Sequence, residues 1–290
     1  MCDDNTIREN EEYLRKEMTR RKFGKLSAAV GVAMMLPPVA NAQSVTETDV
    51  EVTTPDGTAD CYFVYPSTGS HAAVIVWPDI LGLRPAFRAM GKRLAESGYS
   101  VLVVNPFYRS ARSPVVEVGD VFSDPDVRSR VLPMAGALNA DTHFTDARAF
   151  VSFLDQQSAV DTNRKIGTTG YCMGGPMVVR TTAAVPDRIG AGATFHGGGL
   201  VTDADNSPHL LIADTTAHAL HCVAANDDER TPEAKNALRD TYDAAGLPAE
   251  IEVYEGAMHG WCPPDSAVYN EPQAERAWAR LLVLFENALA

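Results

Sequence analysis

The chain has 290 residues, 45% of them hydrophobic, with 25 Lys and Arg against 38 Asp and Glu and a formal net charge of −13. That is enough apolar material for a substantial core. The acidic balance argues against a nucleic-acid partner, because phosphate binding needs clustered Lys and Arg, and the body of the chain shows no basic patch.

The N-terminus is separable. "TRRKFGK" (residues 19–25) precedes the apolar run "LSAAVGVAMMLP", which leads into "ANA" at residues 40–42. A charged start, a short apolar stretch and small residues at −3 and −1 make an export signal. Arg20 and Arg21, followed by Phe23 and Lys25, resemble a twin-arginine signal, an address read by the machinery that exports folded proteins. Residues 26–37 number 12, too few for the roughly 20 of a membrane-spanning helix, so no stable membrane insertion is expected. Cleavage after Ala42 would leave residues 43–290 as one domain, periplasmic or secreted and expected to be a monomer. The 17 residues before Met18 are unusually polar for a leader, so Met18 competes with Met1 as the start.

Two short strands come next. "VTETDVEVTT" and "CYFVYP" flank "PDGTAD" and read as a hairpin with Gly57 in the turn. "AAVIVWP" (72–78) is a continuous apolar run, as expected of a buried parallel strand. Phe87, Met90 and Leu94 then fall at helical spacing until Gly98, and "YSVLVVNPF" (99–107) is another strand. Residues 108–140 are Pro- and Ser-rich, a loop excursion with short helices. "DARAFVSFLDQQ" (146–157) is helical, and "KIGTTGYC" (165–172) is a strand ending at glycines. Further units are "IGAGATFHG", "ALHCVAAND", the helix "PEAKNALRDTYDAAG", the strand "AEIEVYEG" and a last amphipathic helix around "AERAWARLLVLFENAL". Strands alternating with helices predict an α/β fold, a mostly parallel central sheet covered on both faces, with the hairpin strands at its N-terminal side.

Cys2 goes with the leader, leaving Cys61, Cys172, Cys222 and Cys262. No CxxC and no Cys/His pair at zinc spacing is present, so neither a metal nor another cofactor is expected. Cys61 and Cys222 lie inside apolar runs, where an inert buried thiol is the common outcome. An oxidising compartment leaves a Cys222–Cys262 disulfide open.

Cys172 is different. It stands in "GYCMGG" (170–175), between a strand and the helix "PMVVRTTAAV", giving G-x-C-x-G where the nucleophile elbow of α/β hydrolases has G-x-S-x-G. So sharp a turn wants flanking positions without Cβ, and a helix N-terminus favours a thiolate over a thiol. The bland alternative is a glycine-rich turn holding an incidental buried cysteine. In this fold the order along the chain is nucleophile, acid, histidine. "CVAANDDERTP" (222–232) is a strand ending in acids, and "VYEGAMHGW" (253–261) is a strand followed by His259. Asp227 and Asp228 compete for the acid. Asp228 has the better register, four residues before Pro232, as in the common G-x-x-D-x-x-V-P pattern of this fold. His196, just past another strand, is a pocket-lining candidate.

"GYCMGG", "NDDERTP", "YEGAMHGW", "WPDILGL" (77–83) and the tail "YNEPQAERAWARLLVLF" together resemble the dienelactone hydrolase family, single-domain α/β hydrolases with a cysteine nucleophile. The resemblance covers most of residues 45–290. It implies Cys172 as nucleophile, Asp228 as orienting acid and His259 as base, with an oxyanion held by the Met173 and Ile80 N–H groups. The chain also departs from the family. Asp79 stands where the family commonly has a Glu that bonds the resting thiol. Of the two arginines that receive a substrate carboxylate, one maps with shifted register to Arg109 or Arg112, next to Tyr108, and the other to Pro263. Residues 108–140 and the loop around Trp261 are expected to roof the pocket. The resulting expectation is a hydrolase of small esters or lactones. A non-catalytic binder of a small carboxylate or lactone is the alternative, and a peptidase is a lesser one.

Overall fold

The computed structural model describes residues 3–21 and 36–290. The apolar part of the proposed export signal, residues 26–35, lies outside the described residues. Among the described residues no helix is long and apolar enough to cross a membrane.

The hairpin forms as expected. Strands β1 (Val45–Thr54) and β2 (Gly57–Pro66) pair antiparallel, with Gly57 at φ 140° in the turn. β2 then pairs antiparallel with β4 (Ser100–Val104). The remaining pairings, through β3 (Ala73–Trp77), β5 (Ile166–Tyr171), β6 (Ile189–Phe195), β7 (His218–Ala224) and β8 (Ala249–Tyr254), are parallel. The order across the eight-stranded sheet is β1-β2-β4-β3-β5-β6-β7-β8. A parallel strand is buried on both faces, and here the alternation is clean. Val74, Val76, Val101 and Val103 pack with Phe87, Met90 and Leu94 of α2 (Pro85–Glu96) and with Leu281 and Phe285 of α8 (Glu271–Ala288). Ile75, Trp77, Leu102 and Val104 face the other way, onto Phe150 and Leu154 of α4 (Ala140–Leu154) and Met177 and Val178 of α5 (Gly174–Ala184).

Two helices run differently from the sequence pattern. α4 begins six residues before the expected Asp146, because Asn139 and Thr142 exchange side-chain bonds with each other's backbone N–H and fix the first turn. The excursion at 108–140 holds α3 (Pro125–Gly136), opened by the Asp124 carboxylate accepting from the Asp126 N–H. After β7 comes the short α6 (Ala225–Arg230), then α7 (Ala234–Ala245), closed by Gly246 at φ 68°. The N-terminal helix α1 (Asp4–Arg21) lies at the C-terminal ends of the central strands. Cys61, Cys172, Cys222 and Cys262 are buried and none of them forms a disulfide, so the Cys222–Cys262 pairing does not occur.

Candidate active site

β5 ends at Tyr171 and α5 begins at Gly174, so only Cys172 and Met173 turn the chain. Cys172 holds φ 51°, a left-handed conformation that costs a non-glycine residue of order 1–3 kcal/mol. The surroundings fix it: its N–H donates to the Phe195 carbonyl at 3.1 Å, and its own carbonyl accepts from Gly175 at 3.0 Å and Gly198 at 3.3 Å. The flanking glycines are required by close approach. A Cβ on Gly170 would meet the Gly174 carbonyl oxygen at 2.4 Å, and one on Gly174 would meet the Trp77 carbonyl oxygen at 2.4 Å. Both obstacles are backbone and cannot swing aside. Overpacking of this kind costs about 1–3 kcal/mol, and Gly174→Ala is therefore expected to lower the thermal midpoint by roughly 2–12 °C. Gly136→Ala, whose added carbon would touch nothing within 4 Å, is the control for calorimetry and should leave the midpoint nearly unchanged.

His259 follows β8, and its imidazole is buried. Its Nδ1 meets Asp227 Oδ2 at 2.7 Å, and its backbone N–H donates to Asn226 Oδ1 at 2.8 Å. The ring's other nitrogen, Nε2, is buried, and Cys172 acts on the ring both by hydrogen bonding and through its charge. Burial works against the imidazolium, but the Asp227 carboxylate and then Cys172 outweigh it and raise His259 to about 10. Asp227 is held below its usual range: burial opposes this, and the attraction of His259 prevails.

The acid at His259 is Asp227, which corrects the choice of Asp228. α6 starts at Ala225, and successive side chains on a helix turn by about 100°. Asp227 therefore points to His259 while Asp228 points away, to Lys235 Nζ at 2.5 Å. Arg230 Nη2 clamps the second Asp227 oxygen, Oδ1, at 2.6 Å. Asn226 and Arg230 escaped the sequence reading; their only signal was adjacency to the two aspartates.

A second imidazole flanks the thiol. His196 is 1% exposed and holds φ 42°, again left-handed. Its ring stands edge-on to His259 at 5.0 Å and to Trp261 at 5.1 Å. Burial pushes His196 below its ordinary value while Cys172 pulls the other way. The two histidines thus shift in opposite directions, because only His259 is hydrogen-bonded to a carboxylate. Trp261 does not line the cavity; fully buried and stacked on Tyr254, it backs His196 instead.

The cavity, of about 150 Å³, is bounded by Cys172, His196 and His259 below, by Asp79, Ile80 and Arg84 on one side, and by α1 above. Part of the expected roof is present, since residues 120–123 line it. No backbone carbonyl among the described residues accepts the Ile80 or Met173 N–H. Asp79 lines the cavity, but its carboxylate receives Arg84 at 2.6 and 3.0 Å and the Leu81 N–H at 2.9 Å. Arg84 also grips Asp265 at 2.7 and 2.9 Å and is itself buried. The sequence reading missed both Arg84 and Asp265.

The expected arginine sites are corrected. Arg109 is committed to Asp56 and Asp146 and lies over the Tyr108 ring. Tyr108 is bonded to Thr54 and Asp146, and Arg112 is an exposed partner of Glu51. None of the three lines the cavity. Carboxylates of the hairpin and of α4 claim these cations first.

The sequence profile of the dienelactone hydrolase family matches residues 59–289. The chain belongs to that family. It is a hydrolase, as the family's members are. It is 27% identical over 229 residues to a carboxymethylenebutenolidase of Rhodococcus opacus, covering 77% of this chain and 83% of that protein. Hydrolase tropI of Talaromyces stipitatus is 27% identical over 197 residues, 68% of this chain and 72% of that one. Among solved structures, a dienelactone hydrolase-like promiscuous phosphotriesterase from metagenomic libraries superposes with a TM-score of 0.69 at 21% identity, covering 85% of this chain and all of that one. The dienelactone hydrolase fold seen here is the fold of that neighbour.

Proposed function

We propose that this dienelactone hydrolase family member cleaves small neutral carboxylic esters or lactones through Cys172, His259 and Asp227. The supporting observation is the placement of His259, with Asp227 on Nδ1 and Cys172 acting on the same ring from within the same cavity. The Cys172 thiolate attacks the carbonyl carbon, and the displaced electron pair rests on an oxygen facing the Met173 and Ile80 N–H groups. Collapse breaks the carbon–oxygen bond, and the His259 imidazolium gives its Nε2 proton to the departing alkoxide, which in a lactone stays tethered. Neutral His259 then takes a proton from water, hydroxide adds to the thioester, and the thiolate leaves. Thiolate and imidazolium are restored, and the product is a carboxylic acid. Asp227 keeps Nδ1 protonated throughout, so that Nε2 is the nitrogen that exchanges protons.

The charge of the cavity supports neutral substrates. Arg84, the one guanidinium among the described lining residues, is shared by two carboxylates, and Pro263 stands where the family places a second cation. A desolvated contact to charge is worth about 1.5–3 kcal/mol, or roughly 10- to 100-fold in binding. We therefore expect kcat/KM for neutral esters or lactones to equal or exceed that for anionic analogues of the same size, with Pro263→Arg shifting the ratio towards the anions. A panel of matched substrates measures this. A tenfold preference of the wild type for the anionic members would sink the neutral-substrate reading.

A further inference from the structure

We propose that the rim of the cavity is a docking surface for the chain's own N-terminal helix, and that α1 seated there covers the Cys172 thiol until it is displaced. The statement about the thiol does not depend on which substrate is hydrolysed. Ile7, Asn10 and Leu14, spaced three and four residues apart, present one stripe of α1 to the same cavity as Cys172, His196 and His259. Thr6 is 3% exposed.

The contacts are specific and run to groups that also hold His259 and Asp227. Asn10 Nδ2 donates to the His259 carbonyl at 3.1 Å. Asn226 carries the His259 backbone N–H on its oxygen and donates from Nδ2 to Glu9 Oε2 at 2.7 Å. Arg230 holds Asp227 with one amino group, while its other groups reach Thr6 at 3.1 Å, Asp3 at 3.3 Å and Glu9 at 3.6 Å. Arg128 pairs with Asp4. Acids of the N-terminal segment thus meet the arginines of the rim, a local complementarity within a chain of net charge −13.

The same contacts make the cover separable. Asp3 and Asp4 are exposed, so their pairs are weak and screened by salt. Docking also leaves Asn10 Oδ1 buried without a partner, which disfavours the seated state. Residues 22–44 join α1 to β1, so a cut after Ala42, on the export reading of the leader, would release the helix and open the cavity in one event.

The test uses the full chain. Ile7→Asp with Glu9→Lys places a charge in the apolar stripe and a cation beside Arg230; Leu14→Asp alone is the second variant. Alkylation of Cys172 by iodoacetamide, followed by peptide mass spectrometry, reads exposure of the thiol without requiring turnover. We expect labelling at least tenfold faster in both variants, and slow labelling restored by adding a peptide of residues 3–21. Hydrogen exchange in the wild type should show the amides of residues 6–14 protected. Equal labelling rates in wild type and variants, or unprotected amides in that segment, would overturn the proposal. So would wild-type labelling that slows only as protein concentration rises, since the helix would then be docking on a second copy. Faster labelling with no ester or lactone turned over would uphold the cover and defeat the substrate reading instead.

Discussion

Cys172→Ala is expected to reduce ester hydrolysis roughly 10³-fold or more, because removing the nucleophile leaves only oxyanion stabilisation and binding. Steady-state assay of a neutral activated ester measures it. The three other cysteines among the described residues are poor substitutes. Burial pushes the Cys61, Cys222 and Cys262 thiols far up, which keeps them protonated and unreactive near neutral pH. Retention of more than a tenth of wild-type activity would reject Cys172 as the attacking group.

The second large effect separates two neighbouring carboxylates. Asp227→Asn should lower kcat by roughly 10²- to 10⁴-fold, since an amide neither selects the productive tautomer nor stabilises the imidazolium. Asp228→Asn, which loses only a partly exposed contact to Lys235, should retain activity within a fewfold. A titration of the His259 ring followed by NMR gives the same contrast. Removing Asp227 takes away the largest upward influence on His259, so its midpoint should fall well below about 10, whereas the Asp228 change should hardly move it. In the wild type the raised value means that the folded protein holds a proton the unfolded chain has lost between about 6.5 and 10. Stability from this pair is complete below about pH 6.5 and is lost as pH rises through about 10. Equal damage from both substitutions would return the orienting role to an open question between them.

Features decided by local chemistry were legible in the sequence. The elbow could be read because a turn of that sharpness needs bare glycines on each side of the reactive residue, and the hairpin because Gly57 lies between alternating strands. His259 could be read as the histidine directly after a late strand. The choice between Asp227 and Asp228 could not, because it turns on where a single helical turn begins, and neither candidate's neighbours mark Ala225 as that point. Arg109 and Arg112 misled for another reason. Cations near the end of a strand look available until the carboxylates that claim them are known, and those come from Asp56, Asp146 and Glu51, far away along the chain. In the sequence, the polarity of the first residues marks them only as odd for a leader. A stripe of Ile7, Asn10 and Leu14 is too sparse to announce a buried face without the surface it meets.

The sharing of Arg84 between Asp79 and Asp265 reaches beyond substrate choice. One positive and two negative charges leave that wall with a surplus of one negative charge beside the thiol. Hydrolysis of a neutral ester makes a carboxylic acid, which ionises as soon as its proton reaches solvent. The reaction therefore turns a molecule the wall tolerates into one it repels at short range, where the dielectric is low. On the proposed reading, departure of the product would be assisted by the same charge that leaves a neutral substrate unattracted. Turnover would then be governed by the thioester steps, and accumulated acid would be a feeble competitor for the cavity.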